Sequence, residues 1–244
     1  MKSKLISIIF TAALLSLAQL GFAQGFVNLG FESATLVPVP GDPYGSVQFA
    51  QAFPGWAGTA GGIPLSGALT NNVFLNQAGI SIIDHNWTNS AGYKNGGGYP
   101  PIGELIQGHY TAILYSGLVG FQTAGDTTLS QTGLVPAGTA SLQFRAFEGF
   151  DPLGSFAVTL GGQNLSLVTI SNSLNYTLYG ADISAWAGQT AQLAFTVFAE
   201  SPYQVNEYLY LDAIQFSTQS IPEPGAFVLA ALGTLFLGFS RRRQ

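Results

Sequence analysis

Apolar and polar side chains alternate with a period of two through much of the middle of the chain. In Ser141 to Phe147, Leu142, Phe144 and Ala146 fall on one face; Phe156, Val158 and Leu160 repeat the pattern, and Gly161-Gly162 then supplies a hairpin turn. Leu165, Leu167, Tyr176, Leu178, Leu193, Phe195 and Val197 continue it. Because successive side chains of a strand point to opposite faces, this alternation describes half-buried strands. A sustained helical period is missing from residues 24–220, apart from one turn expected over Asp182 to Ala187. Short strands, glycine-rich turns and no helical crossovers predict an all-β domain, an antiparallel β-sandwich of jelly-roll-like form.

The two ends follow other patterns. Lys2 and Lys4 precede an apolar run from Leu5 to Leu20, and Gly21-Phe22-Ala23 offers the small residues a signal peptidase requires. Residues 1–23 are therefore expected to form a signal helix, cleaved after Ala23. At the other end, Pro222-Glu223-Pro224 is followed by an apolar stretch from Ala226 to Phe239 and by Arg241, Arg242 and Arg243. As a helix that stretch is about 21 Å long, against a hydrocarbon core of about 30 Å. It is expected to be a marginal transmembrane helix, completed by bilayer thinning and by arginines kept on the cytoplasmic side. The prolines lack backbone donors and have a fixed φ, which keeps the hinge before it extended. The resulting division is a signal peptide, 1–23, a β-sandwich ectodomain, 24–220, and a sorting and anchor segment, 221–244.

Charge sharpens the picture. All twelve acidic residues except Glu223 lie in the ectodomain, which has only Lys94 and Arg145 as basic residues. An acidic surface of this kind repels phosphate backbones, so nucleic acid is not expected as a partner. The chain has no cysteine, which excludes disulfides, thiol catalysis and cysteine-ligated zinc.

Ile221-Pro222-Glu223-Pro224, the apolar segment interrupted by Gly233, and the closing arginines resemble the PEP-CTERM sorting signal of Gram-negative bacteria. The resemblance implies export, a membrane-anchored precursor, processing by an exosortase, and release to the cell surface or extracellular matrix, often in species that make exopolysaccharide. The ectodomain has a resemblance of its own. Phe26 to Glu32 and Leu209 to Phe216 look like the first and last strands of galactose-binding-like jelly rolls, and Trp56 resembles the tryptophan that follows the first strand there.

In carbohydrate-binding members of that group the first-strand Glu and last-strand Asp help hold a structural calcium, which the resemblance carries to Glu32 and Asp212. Oxygen donors suit calcium, and two acids brought together repel without a cation. Leu209 and Leu211 share one face and Ile214 and Phe216 the other, a switch that a bulge near Asp212 explains. The alternative is that both acids face solvent, or accept backbone hydrogen bonds in a turn.

The stretch from Asp84 to Tyr110 gathers both histidines with Trp87, Tyr93, Tyr99, Tyr110 and a glycine-rich tract. Its aromatic rings could stack on sugars, or could simply cover the core. Catalysis finds little support: Asp84 and His85 are adjacent, so on a strand they point to opposite faces, and there is no nucleophile elbow, helical zinc pair or phosphate loop. A carboxylate pair has no sequence signature, so a glycoside hydrolase is the remaining enzymatic option. The expectation is a non-enzymatic exported surface or matrix protein that binds extracellular polysaccharide; the alternative is a purely structural matrix component.

Overall fold

The computed structural model describes residues 24–73, 76–84, 106–120, 123–149, 156–199 and 208–221. The alternating segments pair into two large sheets. The first has eight strands, in the order β1 (Val47–Gln48), β4 (Gly67–Thr70), β5 (Gly79–Asp84), β6 (Tyr110–Tyr115), β16 (Tyr208–Ser217), β10 (Ser141–Gly149), β14 (Thr177–Asp182) and β13 (Val168–Asn172). The second has six, in the order β12 (Gln163–Asn164), β11 (Phe156–Leu160), β15 (Thr190–Val197), β9 (Thr127–Leu134), β2 (Ala57–Ala60) and β3 (Ile63–Pro64). A small hairpin joins β7 (Gly117–Val119) to β8 (Thr123–Gly125).

One core fills the space between the large sheets. Leu142, Phe144 and Ala146 of β10 are fully buried, as the alternation predicts, and meet Leu193 and Phe195 of β15 in the same apolar cluster. The rings of Phe144 and Phe195 lie edge to face at 5.2 Å, and Trp56 extends the contact to Phe195 at 6.4 Å. Strand β5 is buried along almost its whole length, because a second cluster of Ile83, Ile113, Tyr115 and Tyr210 forms apart from the main core. Gly161 and Gly162 both have positive φ and turn β11 into β12, the hairpin expected from their sequence. The turn expected over Asp182 to Ala187 is a 3₁₀ turn at Ser184–Trp186, opened by Asp182 accepting from the Ser184 N–H at 2.8 Å.

Three features depart from the sequence reading. The short helix α1 (Phe49–Ala52) follows β1 with no helical period to announce it. The sheets are antiparallel except at β4 and β5, which run parallel over Leu69↔Ser81 and Thr70↔Ile82. Phe26 to Glu32 is not a strand: Asn28 and Phe31 have φ of 51° and 59°, and Asn28 holds a turn by accepting from Phe31 N–H at its carbonyl and from Ser33 N–H at its side chain. Asparagine tolerates this conformation and bonds its own local backbone, so the turn overrides the apolar pattern. The turn drives Phe31 into the core against Phe53 and Trp56, and leaves Glu32 exposed.

Among the described residues no helix is long and apolar enough to cross a membrane. The expected signal helix at 1–23 and transmembrane helix after Ile221 lie outside the described residues, as do Pro222, Glu223, Pro224, Arg241, Arg242 and Arg243.

Candidate functional site

The switch of faces along the last strand is a bulge. Gln143 of β10 faces Gln215 of β16 and Arg145 faces Asp212, so Ala213 and Ile214 together oppose Phe144 alone. Ala213 adopts φ 49°, and its N–H donates to Asp212 Oδ1 at 2.6 Å. The Ile214 N–H donates to the Leu29 carbonyl at 3.0 Å, which ties the bulge to the Asn28 turn. Glu32, three residues past Leu29, thereby comes to the same place as Asp212, from the far end of the ectodomain sequence.

A third segment closes over this pair. Residues 107–110, which run into β6, donate backbone N–H groups to the two carboxylates: Gln107 N–H to Asp212 Oδ2 at 3.2 Å, and His109 and Tyr110 N–H to Glu32 Oε1 at 2.8 and 3.3 Å. Thr111 Oγ1 adds a donor to Asp212 Oδ2 at 3.1 Å. Gly108 lies between them at φ 80°, and a Cβ there would run into the Glu32 carboxylate. Gly30, Glu32, Gln107, Gly108, Asp212 and Gln215 line a cavity of about 260 Å³.

Asp212 is 1% exposed. Burial pushes its carboxyl up to about 7; the donors from Ala213, Gln107 and Thr111 pull the other way, and the negative charge of Glu32 adds to the rise. Arg145, its neighbour in register, turns away: Nη1 donates to Gln107 Oε1 at 2.6 Å and the guanidinium lies 4.8 Å from the Tyr176 ring centroid. Among the described residues neither Glu32 nor Asp212 forms an ion pair with a basic side chain.

The donor set fits a hard cation. Both groups are carboxylates, one of them buried with no basic side chain paired to it among the described residues, and oxygen donors suit calcium rather than zinc or copper. Among the described residues no group of three or more His, Cys, Asp or Glu side chains is placed to hold a metal. A calcium ion here would therefore need backbone carbonyls and water beyond the two carboxylates. Both acids also accept backbone hydrogen bonds, as the alternative reading foresaw, and only Glu32 is exposed.

Asp84 ends β5 directly opposite Tyr110 at the start of β6. It pairs with His109, Nε2 to Oδ1 at 3.3 Å; His85 lies outside the described residues. The His109 and Tyr110 rings meet edge to face at 4.8 Å. Tyr110 is half-buried and packs against the core; its hydroxyl is pushed up by burial, then by the charges of Asp84 and Glu32. Trp87, Tyr93 and Tyr99 lie outside the described residues. Gln107, Gly108 and Thr111 were not among the residues singled out from sequence, because they serve through backbone N–H groups, a missing Cβ and one hydroxyl, none of which has a spacing to read.

Past β16 the chain stays on the sandwich as far as Ile221: the Ser141 hydroxyl donates to the Gln219 carbonyl at 2.7 Å, and Ile221 reaches the surface of Gly180. A family model described as the PEP-CTERM protein-sorting motif matches residues 220–244. The chain carries a PEP-CTERM sorting motif. The motif implies export, membrane anchoring of the precursor and processing by an exosortase. The residues that line the carboxylate site, Gly30 to Gln215, all precede that motif. Among solved structures, the PEP-CTERM chain is similar to a carbohydrate-binding module, TmCBM61, in complex with beta-1,4-galactotriose, at 12% identity and a TM-score of 0.40, over 80% of this chain and 99% of that one. A comparison with curated proteins returned no match.

Proposed function

We propose that the ectodomain is a non-enzymatic polysaccharide-binding module of a bacterial surface or extracellular matrix, delivered by its sorting motif. The observation that carries this reading is the fastening of residues 107–110 to Glu32 and Asp212. These residues close the long connection between β5 and β6, whose sequence holds Trp87, Tyr93 and Tyr99 and runs into Tyr110. A connection of that kind binds sugar more tightly when part of its ordering entropy is met in advance, and anchoring one end to the sheet contributes to this. Aromatic faces would then stack on sugar rings while Asn, Asp and His side chains bond the hydroxyls.

Calcium is part of the proposal. Held by Glu32 and Asp212, it would neutralise two converging negative charges beneath the connection. Its role is structural. The donors from Gln107, Thr111 and Ala213 hold both Asp212 oxygens in fixed positions, which suits a structural cation ligand. In a Gram-negative envelope the tail would be removed once the domain had crossed the inner membrane.

The test is retention of the full-length protein on immobilised extracellular polysaccharide, with Trp87→Ala and Tyr99→Ala compared with the unaltered chain. Loss of retention at unchanged melting temperature supports a binding module. Equal retention of all three proteins, or none, would leave a purely structural matrix component. Release of reducing ends would point to a hydrolase.

A further inference from the structure

The last described residue, Ile221, is clipped to the sandwich. A Cβ on Gly180 would lie 2.6 Å from Ile221 Cδ1 and 2.7 Å from Ile170 Cδ1, so the glycine forms a notch that receives both isoleucines. Ile170 is there because of an irregularity: Thr169 faces Tyr179 and Ser171 faces Leu178, which leaves Ile170 as the extra residue on β13. Gly180 is opposite Gln143, whose neighbours Leu142 and Phe144 point into the core, so the notch opens on the outer face of the eight-stranded sheet. The tail therefore leaves across this face, beside the edge strand β13.

Between Ile221 and the first apolar residue of the tail, Ala226, stand only Pro222, Glu223, Pro224 and Gly225. Fully extended, that leash reaches at most about 18 Å. The headgroup layer on one side of a bilayer is about 5–8 Å thick, and the apolar stretch is too short for the hydrocarbon core, which draws its start inward. The β13–β14 edge is thus held close to the bilayer while the tail is in place.

The chemistry of that edge fits such a position. Leu174, in the turn between β13 and β14, is 94% exposed, and Ile170 is 40% exposed. From Pro152 to Ala181 no residue is charged, in an ectodomain that is otherwise strongly acidic; the one charge on either strand is Asp182, at the end of β14 away from the Leu174 turn. An acidic face would be repelled by anionic lipid, whereas an uncharged one with projecting leucine and isoleucine can settle into headgroups.

We infer that the β13–β14 edge, centred on Leu174 and Ile170, is a membrane-facing surface that rests in the lipid headgroups while the sorting tail is anchored. The occupant is the anionic bilayer that holds the tail. The domain would then meet its processing enzyme in one fixed orientation, with the Pro-Glu-Pro hinge between edge and bilayer.

The test uses the absence of native cysteine. Full-length protein with Leu174→Cys, or with Ile63→Cys as control, is labelled with a fluorophore and reconstituted in phosphatidylethanolamine–phosphatidylglycerol vesicles that contain headgroup-nitroxide lipid. Ile63 is 59% exposed on β3, at an edge of the other sheet. Quenching at position 174 is expected to exceed that at 63 at least threefold, with equal melting temperatures. Equal quenching overturns the inference. So does an unquenched position 174 that cross-links to position 174 of a second copy, which would make the edge a self-association surface. An unquenched position 174 with slowed tail removal in Leu174→Asp cells also overturns it, and would assign the edge to the processing enzyme.

Discussion

The backbone N–H of His109 donates to Glu32 Oε1 at 2.8 Å, joining residues 77 apart in sequence. With the bond from Gln107 to Asp212, it makes the end of the β5–β6 connection and the carboxylate pair one unit. Whatever changes the charge of the pair should therefore change how firmly that connection is held.

Stability should fall as pH rises in calcium-free buffer. The folded Asp212 carboxyl is raised from 3.8 to about 7, so between those values the folded state binds more protons than the unfolded one. The cost is absent below pH 4, grows from pH 4 to 7 and is then constant, on the order of 4 kcal/mol. Asp42 and Asp182, lowered by donors from Ser46 and Ser184, act at the acid end, below this window. Urea melts at pH 4.5 and 7.5 should show the loss, and Asp212→Asn should flatten it.

Calcium should offset much of this loss. At a hundredfold excess over its dissociation constant it adds about 2.7 kcal/mol, and the drop between pH 4 and 7 should shrink. Calorimetry with calcium and then chelator measures this. Glu32→Gln should abolish both the heat and the melting shift; a shift unchanged in that variant would place any calcium elsewhere.

Gly108→Ala should destabilise the site by about 1–3 kcal/mol, since alanine is strained at φ 80° and its methyl would displace the Glu32 carboxylate. Gly25→Ala, with nothing within 4 Å of the added methyl and no positive φ, is the matched control and should change little. Denaturant midpoints separate the two.

Phe195→Ala should cost about 3–5 kcal/mol, because the ring is fully buried against Phe144 and Trp56. Leu174→Ala should stay within about 0.5 kcal/mol in solution, as an exposed side chain with little to lose. Comparable losses at the two positions would contradict the placement of the core.

Sequence alone determined the strands whose burial is one-sided, because a period of two is a direct image of one wet and one dry face; Leu142, Phe144 and Ala146 are the clearest case. It also determined the bulge, since the parity change between Leu211 and Ile214 cannot be accommodated in an unbroken strand. The PEP-CTERM motif was legible for a similar reason: its parts are contiguous and need no folding to be recognised. Phe26 to Glu32 was misread because Asn28 can trade a ladder bond for its own turn, a local choice that the apolar pattern does not record.

The jelly-roll resemblance pointed to Glu32 and Asp212; only the tertiary structure shows how the two meet. Eleven acidic residues of the ectodomain are equivalent in composition, and Glu32 reaches Asp212 through Ile214 bonding Leu29 and through backbone donors of residues 107–110. Backbone donors are the same at every position, so sequence does not mark them. The pairing of Asp84 with His109 and the notch of Gly180 under Ile221 have the same origin: each depends on strand register, which is set by how the whole core packs rather than by neighbours along the chain.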